Sequence, residues 1–151
     1  MSPPEEPRKE EAKQEMEVNL CDPEVFEKIV KDNGGNALLF VGKEGCQVCP
    51  EVEEKVLSAY EEERRKRNLS EDDERLPPVL TMYITAEEDA RTHEKGSCAY
   101  FADYMKVAAT PTVIAFSGGK EVLRFEGGSK TPEAEHLARK AVEKVFQSQP
   151  S

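Results

Sequence analysis

An α/β fold, with a mixed central sheet covered by helices on both faces, is predicted by three features of this 151-residue sequence. Apolar runs at 37–41 and 79–85 have the length and the turn-forming flanks of buried strands. Between and after them lie segments whose apolar residues recur at helical spacing. A third strand at 112–116 is followed by Gly118-Gly119 and a partner strand at 121–125, which reads as a two-residue hairpin. Strands joined through helices are expected to run parallel and the hairpin antiparallel. Right-handed crossovers then place helices on both faces of a sheet of four to five strands.

The elements follow from local chemistry. Residues 1–17 read as a disordered charged tail: they hold Pro3, Pro4 and Pro7 among many charges, and too little apolar surface to offset ordering entropy. The folded domain is expected over 18–148, opening with a short edge strand at 18–21. Asp22-Pro23-Glu24 has the form of an N-cap, a proline in the first turn and an early acid. Val25, Phe26, Ile29 and Val30 continue that helix, and Gly34-Gly35 stops it. A long charged helix is expected over 50–68, with Val52, Val56, Leu57 and Tyr60 facing inward and the mixed-charge run 61–67 as its solvated end. A polar connection, 68–78, follows. Thr85 and Glu88 have capping-box spacing and open a further helical piece. That piece is interrupted at Gly96-Ser97 and resumes over 98–107, with Phe101 and Met105 as core. Thr131-Pro132-Glu133 starts the last helix, which turns Leu137, Ala141, Val145 and Phe146 inward.

Composition narrows the function. With 31 Asp+Glu against 21 Lys+Arg the net charge is −10, which argues against binding phosphate backbones or anionic membranes. No nucleic-acid or membrane partner is therefore expected, and no apolar run approaches the ~18 residues of a membrane span. The first residues carry no apolar core or cleavage site of a secretory signal, so a cytoplasmic, monomeric protein is expected. Four cysteines are too few for a disulfide scaffold and point to redox chemistry, metal binding or burial.

Cys46-Gln47-Val48-Cys49 is the informative motif. It follows a buried strand and precedes a helix, at the strand end where α/β sheets place their chemistry. Two cysteines at this spacing can close a small disulfide ring. Helix N-terminal amides favour the thiolate of the first one, and thiolate is the species that attacks disulfides. Pro50 is tolerated because the first helical turn needs no N–H there. The second feature is Thr110-Pro111-Thr112. A proline just before a buried strand removes a ladder donor; either a cis Thr110–Pro111 bond or an ordinary trans proline at a strand start accounts for it.

Together these features resemble the thioredoxin superfamily over roughly residues 18–146. The resemblance is carried by the strand-CxxC-helix order, the Val107-x-x-Thr110-Pro111-Thr112 segment, the Gly118-Gly119 hairpin and the Gly127 bend. It implies a three-layer α/β/α fold, with Cys46 as nucleophile, Cys49 as resolving thiol and Pro111 as a cis-proline that, with the Thr110 backbone, shapes the substrate groove. It also implies protein disulfides as substrates, a reductase or thiol as electron donor, and no bound cofactor. Typical thioredoxins read Trp-Cys-Gly-Pro-Cys-Lys, whereas here Gly45 precedes Cys46, Pro50 follows Cys49 and Trp is absent. Phe40 stands six residues before Cys46, where thioredoxins carry a buried Asp that assists proton transfer. The Cys-x-x-Cys-Pro form is similar to glutaredoxin-like protein disulfide oxidoreductases and to thioredoxin-related proteins with an enlarged middle segment, here 86–97.

Two readings compete with an oxidoreductase using Cys46 and Cys49. One is a peptide-binding adaptor with little redox turnover. The other is a zinc-stabilised fold in which Cys98 and His93 join the CxxC pair. Cys98 also reads as a helix-start thiol or a third redox thiol, Cys21 as a half-buried apolar residue, Glu44 as an exposed carboxylate and His136 as solvent-facing; a Cys21–Cys98 disulfide is a further alternative that only distances decide.

Overall fold

A computed structural model describes residues 21–85, 97–126 and 131–147. Its elements are α1 (Pro23–Asp32), β1 (Ala37–Lys43), α2 (Cys49–Lys66), β2 (Val79–Ile84), α3 (Cys98–Tyr104), β3 (Thr112–Ser117), β4 (Lys120–Glu126) and α4 (Thr131–Gln147). The expected tail, the strand expected at 18–20, Glu88 and Gly127 lie outside the described residues. Cys21, the last residue of that expected strand, sits in a turn.

The caps act where the sequence places them. The Asp22 carboxylate accepts the Glu24 amide at 2.9 Å and Pro23 occupies the first turn of α1. Gly118 and Gly119 both have positive φ, 63° and 82°, the backbone of a two-residue turn whose twist suits a hairpin.

The sheet has four strands in the order β2-β1-β3-β4. β1 and β2 are parallel, while β3 is antiparallel to both β1 and β4. The expectation that every helix-linked strand runs parallel therefore fails at β3. The register gives the reason. Ile84 ends β2 opposite Lys43, and Thr112 begins β3 opposite Val41. The chain thus leaves and re-enters the sheet at the same end of β1, so β3 must run back.

β1 divides two cores. Ala37, Leu39 and Val41 face Phe26 and Val30 of α1 and Phe101 of α3. Leu38 and Phe40 face Val52 and Val56 of α2 and Ala138, Val142 and Phe146 of α4. The five side chains from Ala37 to Val41 are all buried, the larger ones contributing about 1.5–3 kcal/mol each. This is the α/β/α layering expected of a thioredoxin-like fold.

The inner face of α2 differs from expectation. Val52, Val56, Ala59 and Glu63 follow the i, i+4, i+7 rule inward, which rotates Leu57 outward to 40% exposure. The mixed-charge run is solvated at Glu62, Arg65, Lys66 and Arg67 but not throughout. Glu63 and Arg64 are buried: Arg64 donates to the Leu69 carbonyl at 2.8 Å and pairs with Glu61 at 2.6 Å. Arg67 pairs with Glu63 at 2.7 Å and lies over the Phe146 ring, so aliphatic stems and paired heads seal the α2–α4 seam.

Gly35 joins α1 to the hairpin. Its φ is +84°, and a Cβ there would overlap the Gly119 amide nitrogen, which donates to the Gly35 carbonyl at 3.0 Å. Gly35→Ala is expected to cost at least about 1–2 kcal/mol from the left-handed backbone alone, with the displaced hairpin adding to it. Urea denaturation checks this; a midpoint equal to wild type contradicts it.

Candidate active site: a cysteine pair between strand and helix

β1 ends at Lys43, and a turn through Glu44 and Gly45 carries the chain to Cys46, whose amide donates to the Lys43 carbonyl at 3.0 Å. α2 begins at Cys49 itself, one residue earlier than the sequence predicts. Cys46 and Cys49 are disulfide-bonded across a Cα–Cα distance of 5.4 Å, within the ordinary range for such a bond. Cys46 is half-buried and Cys49 is fully buried, so one sulfur faces solvent and the other the core.

The start of α2 has no side-chain oxygen cap, because its capping position is Val48. The Cys46 sulfur takes that place: the Cys49 amide donates to it at 3.1 Å. The first amides of a helix lack intrahelical partners and carry the positive end of its dipole. After reduction the same amide stabilises negative charge on Cys46.

Below the pair, Cys49 shares its core with Phe40. The Phe40 ring lies 5.7 Å from that of Tyr83. Gly42 is opposite Tyr83 in the sheet, and a Cβ there would strike the Tyr83 ring. The Tyr83 hydroxyl donates to Glu53 Oε1 at 2.7 Å. Burial, and then that carboxylate, push the Tyr83 hydroxyl pKa up to about 12, so it remains a donor. Sequence reasoning missed this pair, since thirty residues separate its members and neither lies in a motif.

The Thr110–Pro111 peptide bond is cis, and Pro111 is buried. Thr112 pairs with Val41, two residues from the end of β1, so Thr110-Pro111 and the cysteine pair share one end of the sheet. The Thr112 hydroxyl donates to the Ala109 carbonyl, tying the preceding loop to β3. A cavity of about 170 Å³ adjoins this loop, lined by Lys43, Ile84, Ala99, Ala102, Val107 and Thr110 among others.

Cys21 and Cys98 correct two readings. They form a disulfide with Cα atoms 4.9 Å apart, joining the turn before α1 to the first residue of α3. Cys21 is buried, with its sulfur 3.6 Å from Met82 Sδ, rather than half-buried and apolar. Cys98 is committed to Cys21, which removes it from the proposed zinc set; His93 lies outside the described residues. Glu44 and His136 are exposed, as expected.

Sheet order, layers and the position of the cysteine pair define a thioredoxin-like fold with a CxxC-spaced site. No family model matches the chain, and no curated protein matches it. Among solved structures, the chain is similar to the thioredoxin of Fasciola hepatica at 22% identity, covering 76% of this chain and 89% of that one with a TM-score of 0.48. It is also similar to a thioredoxin from Aeropyrum pernix (19% identity, 78% and 82% coverage, TM-score 0.45). A third is thioredoxin O2 from Arabidopsis thaliana in its oxidized state (16% identity, 70% and 76% coverage, TM-score 0.46). The fold reading rests on the strand order and connections above. Among the described residues, no helix is long and apolar enough to cross a membrane.

Proposed function

We propose that this protein is a thiol–disulfide oxidoreductase that exchanges its Cys46/Cys49 dithiol with protein disulfides. One observation carries the reading: an accessible sulfur at the head of α2, held by a helix amide, is paired with a buried sulfur three residues on. In the reducing direction, the Cys46 thiolate attacks one substrate sulfur, forming a mixed disulfide and releasing the other as thiolate. Cys49, losing its proton, then attacks Cys46 and releases the second substrate sulfur. The substrate gains two electrons and two protons, and the Cys46–Cys49 disulfide forms. A reductase or a second dithiol returns the electrons, so no bound cofactor is needed. Thr110 and Pro111, at the same end of the sheet, are the proposed substrate-binding edge; the β3 ladder begins only at Thr112, which leaves Thr110 outside it.

A peptide-binding adaptor is the second reading, favoured by Phe40 in place of a proton-transferring acid. Insulin reduction by wild type and Cys46→Ser separates the two. Wild-type turnover that Cys46→Ser lacks supports the enzyme, and equal rates defeat it. We place the protein as a soluble monomer. For its compartment, the sequence reading favours the cytoplasm, whereas the Cys21–Cys98 bond weighs toward an oxidising one, where such disulfides persist.

A further inference from the structure

α3 has only seven residues, fewer than two full turns, and an isolated helix of that length is unstable in water. Its last carbonyls also lack partners within the helix. At its start, the Ser97 hydroxyl accepts the Tyr100 amide at 3.0 Å and Cys98 is bonded to Cys21. At its end, Lys106 adopts a positive φ of 60° and the Val107 amide returns to the Ala102 carbonyl at 2.8 Å. Just past the helix lie the carbonyls of Met105 and Lys106. Both are taken by one side chain from β4: Arg124 donates through Nη2 to Met105 at 2.9 Å and through Nη1 to Lys106 at 3.1 Å. The same guanidinium grips Glu121 through both carboxylate oxygens, at 2.7 and 2.9 Å, and holds that carboxyl below the ordinary carboxylate range. A planar fork with five donors suits this arrangement and a lysine does not.

The chain that Arg124 fixes leads directly into Val107–Thr110, the segment that walls the cavity beside Thr110 and ends at Pro111. Its far end is fixed by Thr112 on the Ala109 carbonyl. We propose that Arg124, braced by Glu121, is a positioning residue for substrate binding. It holds the 107–110 segment in place, from outside the cysteine pair, so that the Thr110 edge is set before a peptide arrives. This rests on the oxidoreductase reading for its consequence in turnover, but not for the clamp itself.

The test uses the full chain with Arg124→Gln and Arg124→Lys. Amide hydrogen exchange over 107–110 is expected to quicken by about tenfold or more in the Gln variant, while exchange at 46–49 is unchanged. The KM for insulin reduction should rise about tenfold with kcat little altered, and Lys should recover only a minor part of either change. Glu121→Gln gives the same direction at smaller size and serves if Arg124→Gln fails to fold. Unchanged exchange at 107–110, or faster exchange with an unchanged KM, overturns the inference. Wild-type protein that does not reduce insulin counts against the oxidoreductase reading instead. The clamp is then judged by exchange together with the affinity for a cysteine-containing peptide, which must weaken in Arg124→Gln for the inference to stand.

Discussion

Cys46→Ser is expected to lower disulfide reduction by at least about a hundredfold, to the background of uncatalysed exchange. A serine hydroxyl is not ionised near neutral pH, so the amide that caps the Cys46 sulfur has no anion to stabilise. Cys49→Ser should act differently. Attack by Cys46 still occurs, but the mixed disulfide has no resolving thiol and accumulates as a covalent adduct with the substrate. Insulin turbidity reads the first effect, and intact-mass analysis of the Cys49→Ser protein reads the second. Cys46→Ser with wild-type turnover, or Cys49→Ser without an adduct, contradicts the assignment of roles.

Removing the second disulfide is expected to have the largest effect on stability. Cys21 and Cys98 are 77 residues apart, and closing a loop of that size constrains the unfolded chain by on the order of 4 kcal/mol. The double variant Cys21→Ala/Cys98→Ala should lose most of that and melt roughly 10 °C lower, with the Cys46–Cys49 bond kept oxidised in both proteins. Equal denaturation midpoints would show that the pair contributes no cross-link. The loss should concentrate in α1 and α3, whose starts the bond joins.

Much of this fold was legible in local patterns. Asp22-Pro23 capped a helix, the run at 37–41 became the doubly buried centre of the sheet, and Gly118-Gly119 turned a hairpin. For the cap and the hairpin turn the decisive contacts lie within a few residues, and the strand is legible from its own unbroken apolar run. The cysteine pair was legible for the same reason, since its ring closes over three residues. The features that escaped depend on contacts distant in sequence. The direction of β3 follows from where the chain re-enters the sheet. The Cys21–Cys98 bond, an alternative the sequence could name but not decide, spans 77 residues, and the unforeseen Tyr83–Glu53 and Arg124–Met105 bonds span 30 and 19. Arg64 and Glu63 looked solvated because charge in a helix is ordinarily exposed. Their burial depends on Arg64 reaching Glu61 and the Leu69 carbonyl, on Glu63 pairing with Arg67, and on the approach of α4.

The central claim is that Cys46, at the head of α2, is the accessible thiolate and Cys49 its shielded partner. The most direct test is the rate of iodoacetamide alkylation of each cysteine at neutral pH, followed by peptide mass mapping. It uses protein in which the Cys46–Cys49 bond has been reduced and Cys21–Cys98 is intact. The account predicts rapid modification of Cys46, faster than an unstructured thiol at the same pH, with Cys49 left nearly untouched. Slow modification of Cys46, or modification of both at one rate, would contradict it.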